Sequence, residues 1–169
     1  MIVICDTREQ SPLEFTHPYI TEIRREALPV GDYTVIFENG YQPKVFFERK
    51  SIGDLFFSLG VGHKRFKRML QRAIDRQDRI IIIVEGTLTK VLGNSKYSSV
   101  SGETIVKMMF TMEERYGISF VFSKDREEMA LYITHKFMAL GREHLKCPNS
   151  EVTQATNSST RNSTNANGS

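Results

Sequence analysis

Asp32, Glu48 and Lys50 are the residues of this sequence whose types and spacing best suit chemistry. Glu48 and Lys50 stand two apart, so on an extended strand they share one face and Arg49 points to the other. Asp32 lies across a hairpin signal, Asn39-Gly40, where two residues that tolerate positive φ would fold the arms together in a two-residue turn. Two carboxylates met in this way suit a hard divalent cation such as Mg²⁺, which takes oxygen ligands and keeps some water. Such a cation acidifies a bound water and offsets charge growing on phosphorus. A lysine beside it can orient that water or stabilise the transition state. The reaction such a set would serve is phosphodiester hydrolysis. Taken singly, each residue also has a plainer role. Asp32 after Gly31 suits a turn, and Glu48 with Lys50 suits a surface ion pair.

Further charges cluster nearby. Asp6-Thr7-Arg8-Glu9 follows the apolar run Ile2-Val3-Ile4-Cys5, and Asp54 lies four residues beyond Lys50. From His63 to Arg79 the chain carries Lys64, Arg65, Lys67, Arg68, Arg72, Arg76 and Arg79 against only Asp75 and Asp78. Arg68, Arg72 and Arg76, spaced by four, fall on one helical stripe away from a Phe66, Leu70, Ala73 and Ile74 face. This ridge can hold phosphates with little sequence preference, and its binding would be salt-sensitive. Gly60 and Gly62 would let the preceding loop approach a DNA backbone closely. A solvated helix face is the plainer account of the same charges.

The elements that must position these residues alternate as in an α/β protein. Ile2 to Cys5 reads as a buried strand. Ile20, Ile23 and Ala27 at helical spacing predict a helix over Thr16 to Leu28, stopped by Pro29. Asp32 to Glu38 and Lys44 to Lys50 predict an antiparallel pair. Short and longer helices follow at Ser51 to Leu59 and His63 to Gln77. Ile80 to Val84, too short and too β-branched for a helix, predicts a central strand covered on both faces. A loop over Gly93 to Gly102, a helix over Glu103 to Tyr116 ended by Gly117, and a strand over Ile118 to Phe122 come next. A last helix runs to about Leu145, with Asp125 and Glu128 fitting a capping box. The later crossovers imply parallel strands.

The ordered set Asp-x-Arg-Glu from Asp6, Val-Gly-Asp-Tyr from Val30, and Glu-Arg-Lys-x-x-x-Asp from Glu48 to Asp54 resembles the nuclease domain of the XPF/Hef family of structure-specific endonucleases. Ile-Val-Glu-Gly at Ile83 to Gly86 also resembles that family's pattern. The resemblance spans residues 2–140. It implies a restriction-endonuclease-like core with a central mixed β-sheet flanked by helices. It implies a metal, Mg²⁺ or Mn²⁺, held by Asp32, Glu48 and the Arg49 backbone carbonyl, with Lys50 as catalytic lysine. Asp6, Arg8 and Glu9 would support the site, Asp54 would complete the acidic group, and Arg49 would hold a phosphate or the site's geometry. It also implies dimers through the nuclease domain. Family members commonly carry a helix-hairpin-helix or helicase domain, so this chain would either bind DNA alone or be brought by a separate DNA-targeting partner. The stretch from Glu38 to Pro43 is longer than the pattern usually has, beyond the site.

The function expected is therefore that of a metal-dependent DNA endonuclease acting on branched, flap or fork DNA near the duplex junction. The alternative is a catalytically silent DNA-binding or scaffold subunit that dimerises with an active nuclease. On the last helix Met129, Ile133, Phe137 and Leu140 form one stripe, and Leu131, Met138 and Leu145 widen it, which suggests a homodimer or heterodimer contact through the C-terminal half.

Composition bounds these readings. The chain has 169 residues, 23 Lys and Arg against 20 Asp and Glu, and a net charge of +3 that would not alone point to DNA. No apolar run approaches the ~18–20 residues of a membrane span, and no signal-peptide pattern opens the chain. Cys5 and Cys147 form neither a disulfide framework nor a zinc motif. An intracellular setting is expected: prokaryotic cytoplasm or nucleoid, an infected host cell, or a eukaryotic nucleus. The expected organisation is a nuclease domain over residues 1–146 and a disordered polar tail over 147–169, rich in Asn, Ser and Thr.

Overall fold

The computed structural model describes residues 1–93 and 99–146. In chain order the elements are β1 (Ile2–Asp6), β2 (Glu22–Glu26), β3 (Tyr33–Ile36), β4 (Val45–Ser51), α1 (Ile52–Leu59), α2 (His63–Asp75), β5 (Arg79–Glu85), α3 (Leu88–Leu92), α4 (Gly102–Tyr116), β6 (Ser119–Ser123) and α5 (Arg126–Lys146). The strands form one mixed sheet in the order β2-β1-β3-β4-β5-β6. β3 pairs antiparallel with both β1 and β4, and the β1·β2, β4·β5 and β5·β6 pairs are parallel.

The β-branched run of β5 explains its central place. Ile80, Ile82 and Val84 enter one core with Leu55, Phe56, Leu59, Phe66, Leu70, Ile105 and Met109 from α1, α2 and α4. Ile81 and Ile83 enter the other, against Met129, Ile133 and Phe137 of α5. Each such side chain, fully buried, contributes roughly 1.5–3 kcal/mol. The strand can be apolar on both faces because helices cover both. Phe47 of β4 meets Phe137 edge to face at 5.5 Å between centroids.

Helix ends follow their sequence signals. The Ser51 hydroxyl accepts from the Asp54 N–H at the start of α1. Gly117 ends α4 at φ 62°. Before α5, Asp125 Oδ1 accepts from the Glu128 N–H at 2.8 Å, and Glu128 Oε2 accepts from the Lys124 N–H at 2.7 Å. The reciprocal carboxylate-to-amide pattern is a variant of the expected capping box.

Three expectations are corrected. The predicted helix over Thr16 to Leu28 is replaced by β2, which pairs with β1 from Ile2↔Glu22 to Asp6↔Glu26. Residues at helical spacing are too few between Pro18 and Pro29 to nucleate a helix, whereas the outer edge of buried β1 needs backbone partners. The hairpin turn has three residues rather than two. The Gly40 N–H donates to the Phe37 carbonyl at 2.8 Å, the Phe37 N–H to the Tyr41 carbonyl at 2.9 Å, and only Gly40 adopts positive φ, 79°. On α2, Ile74 is 40% exposed and the apolar face is Phe66, Leu70 and Ala73. The short helix α3 falls between predicted elements. The expected tail, 147–169, and part of the expected loop 93–102 lie outside the described residues. Among the described residues no helix is long and apolar enough to cross a membrane.

Candidate active site

β3 pairs with β4 at Tyr33↔Phe47, whereas β4 stays paired with β5 as far as Ser51↔Glu85, and the charged residues of β4 lie in this stretch, beyond its last buried aromatic, Phe47. Glu48 and Lys50 share a face as the period of two requires. The Lys50 ammonium donates to Glu48 Oε1 at 3.0 Å. It also sits 5.4 Å from the centre of the Phe66 ring of α2, which supports its aliphatic stem and its charge. Lys50 is buried, so Glu48 and its neighbours offset what would otherwise be an expensive lone cation.

Asp32 arrives from the other strand through Gly31, whose φ is 72°. A Cβ there would stand 2.8 Å from the Phe47 carbonyl oxygen and 3.0 Å from Phe46 Cβ, so glycine is required by both conformation and space. The Asp32 N–H donates to the Phe47 carbonyl at 2.6 Å. Its carboxylate Oδ2 accepts the Arg49 N–H at 2.7 Å. Burial first, and then the neighbouring Glu48 carboxylate, push Asp32 up from 3.8 to about 7.

Arg49 turns to the opposite face. Its guanidinium lies 3.2 Å from Glu9 Oε1 and 3.6 Å from Glu85 Oε2. Glu9 Oε1 also accepts the Ser11 N–H at 2.7 Å. Arg49 thus ties the loop after β1 to the ends of β4 and β5. Burial opposes its charge, but the Glu9 hydrogen bond and charge outweigh that and raise its pKa.

Asp6 is only 1% exposed, and its carboxylate is filled by donors. Oδ1 accepts the Arg8 N–H and Arg8 Nε, both at 2.7 Å; Oδ2 accepts an Arg8 terminal nitrogen at 2.9 Å and the Leu28 N–H at 2.6 Å. The same Arg8 nitrogen donates to the Leu28 carbonyl at 2.9 Å. Burial alone would raise the Asp6 pKa, but these bonds hold it below the usual carboxylate range. Asp6 and Arg8 fasten β1 to the segment leading into Gly31 and Asp32. Asp54 accepts from the Ser51 hydroxyl at 2.7 Å in the first turn of α1.

A cleft of about 1040 Å³ opens over this strand end. Arg8, Glu9, Asp32, Glu48, Arg49, Lys50 and Asp54 all line it. Its far wall is α2, through Arg65, Arg68 and Arg72. The basic stripe that faces the site is therefore 65, 68 and 72, not the expected 68, 72 and 76. Arg76 follows the last turn and pairs with Asp78 at 2.7 Å. Lys64 is exposed and Lys67 half-buried, and neither lines the cleft. Gly60 and Gly62 serve internal packing. A Cβ on Gly60 would meet the Phe56 carbonyl at 2.8 Å, and one on Gly62 the Phe57 ring at 2.8 Å.

The sequence reading missed Gln10, Ser11, Phe57, Ser58 and Met69 in the cleft lining. Gln10 and Ser11 had only their position beside Glu9 as a signal, and Phe57 only its place in the short helix after β4. Arg25 and Arg126 were missed as well. Arg25 donates to the Thr7 and Glu9 carbonyls at 2.9 and 2.8 Å, and Arg126 to those of Ser11 and Pro12 at 2.9 and 2.7 Å. Together they pin the loop that forms the near wall.

Asp32, Glu48 and, further out, Asp54 line the cleft with one carboxylate oxygen each bonded within the protein, at Oδ2, Oε1 and Oδ2 respectively. Among the described residues no three Asp, Glu, His or Cys side chains converge as a ready-made metal cage. The N–H and C=O of one strand residue leave on the same side. The Arg49 N–H leaves toward Asp32, so its carbonyl does too. Two carboxylates that repel each other, with one carbonyl, form a donor set that fits a hard cation keeping part of its water.

A family model described as ERCC4 domain matches residues 5–136. The structure of XPF from Aeropyrum pernix is similar, with a TM-score of 0.62 and 23% identity over 82% of this chain and 61% of that one. XPF from Aeropyrum pernix in complex with DNA is similar with a TM-score of 0.60 and 25% identity, over 90% of this chain and 68% of that one. No curated protein matches by sequence.

Proposed function

The chain belongs to the ERCC4 domain family, as an XPF-type nuclease domain of restriction-endonuclease-like fold, and on that premise we propose that it is a divalent-metal-dependent DNA endonuclease. Its substrate is branched, flap or fork DNA cut near the duplex junction. The observation that carries this reading is the pairing of Asp32, Glu48 and Lys50 at one strand end, inside a cleft whose opposite wall presents Arg65, Arg68 and Arg72.

Asp32, Glu48 and the Arg49 carbonyl would hold Mg²⁺ or Mn²⁺, which when bound supplies an acidified water and neutralises charge at phosphorus. Lys50, oriented by Glu48, donates an N–H to the attacking water or to a non-bridging phosphate oxygen as charge builds. The α2 arginines hold flanking phosphates and fix the register of the strand without reading its sequence. The Glu9–Arg49–Glu85 bridge holds the Arg49 peptide, whose N–H anchors Asp32. A subunit contact through the C-terminal half completes the reading. Leu131 and Tyr132 of α5 and Phe110 of α4 are exposed apolar groups that a homodimer or heterodimer would cover.

The test is cleavage of flap, fork, duplex and single-stranded DNA with Mg²⁺, Mn²⁺ or EDTA, by the wild type, Asp32→Ala and Lys50→Ala. Metal-dependent cuts near the junction, abolished by both substitutions, are expected. Cutting that survives both would refute the site. Binding without cutting would favour a scaffold subunit, and equal cutting of all four an unselective nuclease.

A further inference from the structure

Phe57 stands off the buried face of its helix. Helix α1 buries Ile52, Leu55, Phe56, Ser58 and Leu59, and leaves Phe57 58% exposed. Val61, in the turn that follows, is 85% exposed. Phe57 lines the same cleft as Lys50 and the α2 arginines. Its lower side is held: the Gly62 N–H donates to the Phe57 carbonyl at 2.8 Å, and the ring lies so close to Gly62 that a Cβ there would reach it at 2.8 Å. The ring is anchored beneath and open to the cleft.

Resting on the nuclease reading above, we propose that Phe57 is a stacking platform for an unpaired nucleobase of the DNA strand whose phosphates lie on Arg65, Arg68 and Arg72. The occupant must offer a flat apolar face beside a polyanion, and a nucleic acid strand offers both. Inside a duplex each base is already stacked on both sides, so only a base at a junction or in a single strand has a face free for the ring. The platform therefore turns a basic, sequence-blind cleft into one that prefers junctions. A second copy of this chain fits poorly, because it would bring the same arginines face to face.

The test is equilibrium binding in EDTA, so that no strand is cut. The probes are a forked DNA carrying 2-aminopurine at its first unpaired position and a blunt duplex of equal length. Phe57→Ala should weaken fork binding about tenfold and duplex binding by less than about twofold. The salt slope should not change, because no phosphate contact is lost. Phe57→Trp should keep the fork preference. The 2-aminopurine fluorescence should be quenched by the wild type and not by Phe57→Ala. Arg68→Ala, in contrast, should weaken both probes and lower the slope. Fork binding and quenching unchanged in Phe57→Ala, or fork and duplex weakened equally, would overturn the platform while leaving the nuclease reading intact. A change of oligomeric state in Phe57→Ala by sedimentation would assign the ring to a protein contact and overturn it too. Absence of DNA binding by the wild type would remove both readings.

Discussion

Replacing Asp32 with Asn should make the metal-free protein more stable at neutral and alkaline pH while it removes activity. Asp32 titrates near 7 in the fold because burial and the Glu48 carboxylate both oppose its charge. In the unfolded chain its value returns to 3.8. A carboxyl raised in this way stabilises the fold through its protonated form. That contribution is full below 3.8 and is lost as pH rises through 7. Linkage gives about 2.5 kcal/mol lost between pH 5 and pH 8 from this group. Asn has no proton to lose, and its Oδ1 can still accept the Arg49 N–H. The advantage of Asp32→Asn over the wild type should thus grow by about 2.5 kcal/mol from pH 5 to pH 8, or roughly 5–10 °C in Tm for a domain of this size. Thermal or urea unfolding at both pH values in EDTA measures it. Added Mg²⁺ should stabilise the wild type at pH 8 and leave the variant unmoved, since a ligand stabilises only the state that binds it. Equal pH slopes for the two proteins, or a less stable variant at pH 8, would refute the account of Asp32.

Two glycines with similar φ should respond differently to alanine. Gly31→Ala combines a left-handed backbone with a clash on the Phe47 carbonyl, and should cost about 2–4 kcal/mol and displace Asp32, abolishing cleavage. At Gly40 no atom lies within 4 Å of the added Cβ, so Gly40→Ala should cost about 1 kcal/mol and leave cleavage intact; denaturant melts and cleavage assays on both decide it. Arg72→Ala should reduce the slope of log Kd against log salt for DNA by about 1, whereas Arg76→Ala, which removes a partner of Asp78, should barely change it; anisotropy titrations over a salt series separate them.

Much of the site was legible before any fold was known. The period of two puts Glu48 and Lys50 together wherever a strand forms, and the run from Ile80 to Val84 can satisfy itself only as a central strand. The capping carboxylates before α5 and Gly117 after α4 act over three or four residues, so they too are properties of the local chain. Asn39-Gly40 signalled a turn, but its length depended on how far β3 and β4 stay paired, and only Gly40 took positive φ.

What the sequence by itself determined is the set of groups with covalently fixed spacing: Asp32 after Gly31, Glu48 with Lys50, and the arginines of α2. Only the tertiary structure decided how they are used. It made Glu22 to Glu26 a strand rather than a helix, because β1 had an edge to satisfy. It rotated α2 so that Arg65, Arg68 and Arg72 face the cleft and Arg76 does not. It occupied Asp6 with Arg8 and Leu28, left Asp32 and Glu48 with open oxygens, and stood Phe57 at the cleft rim. Spacing along a chain sets which side chains share a face; which face meets a core, a cleft or water depends on contacts between residues far apart in sequence, and those exist only once the sheet has closed.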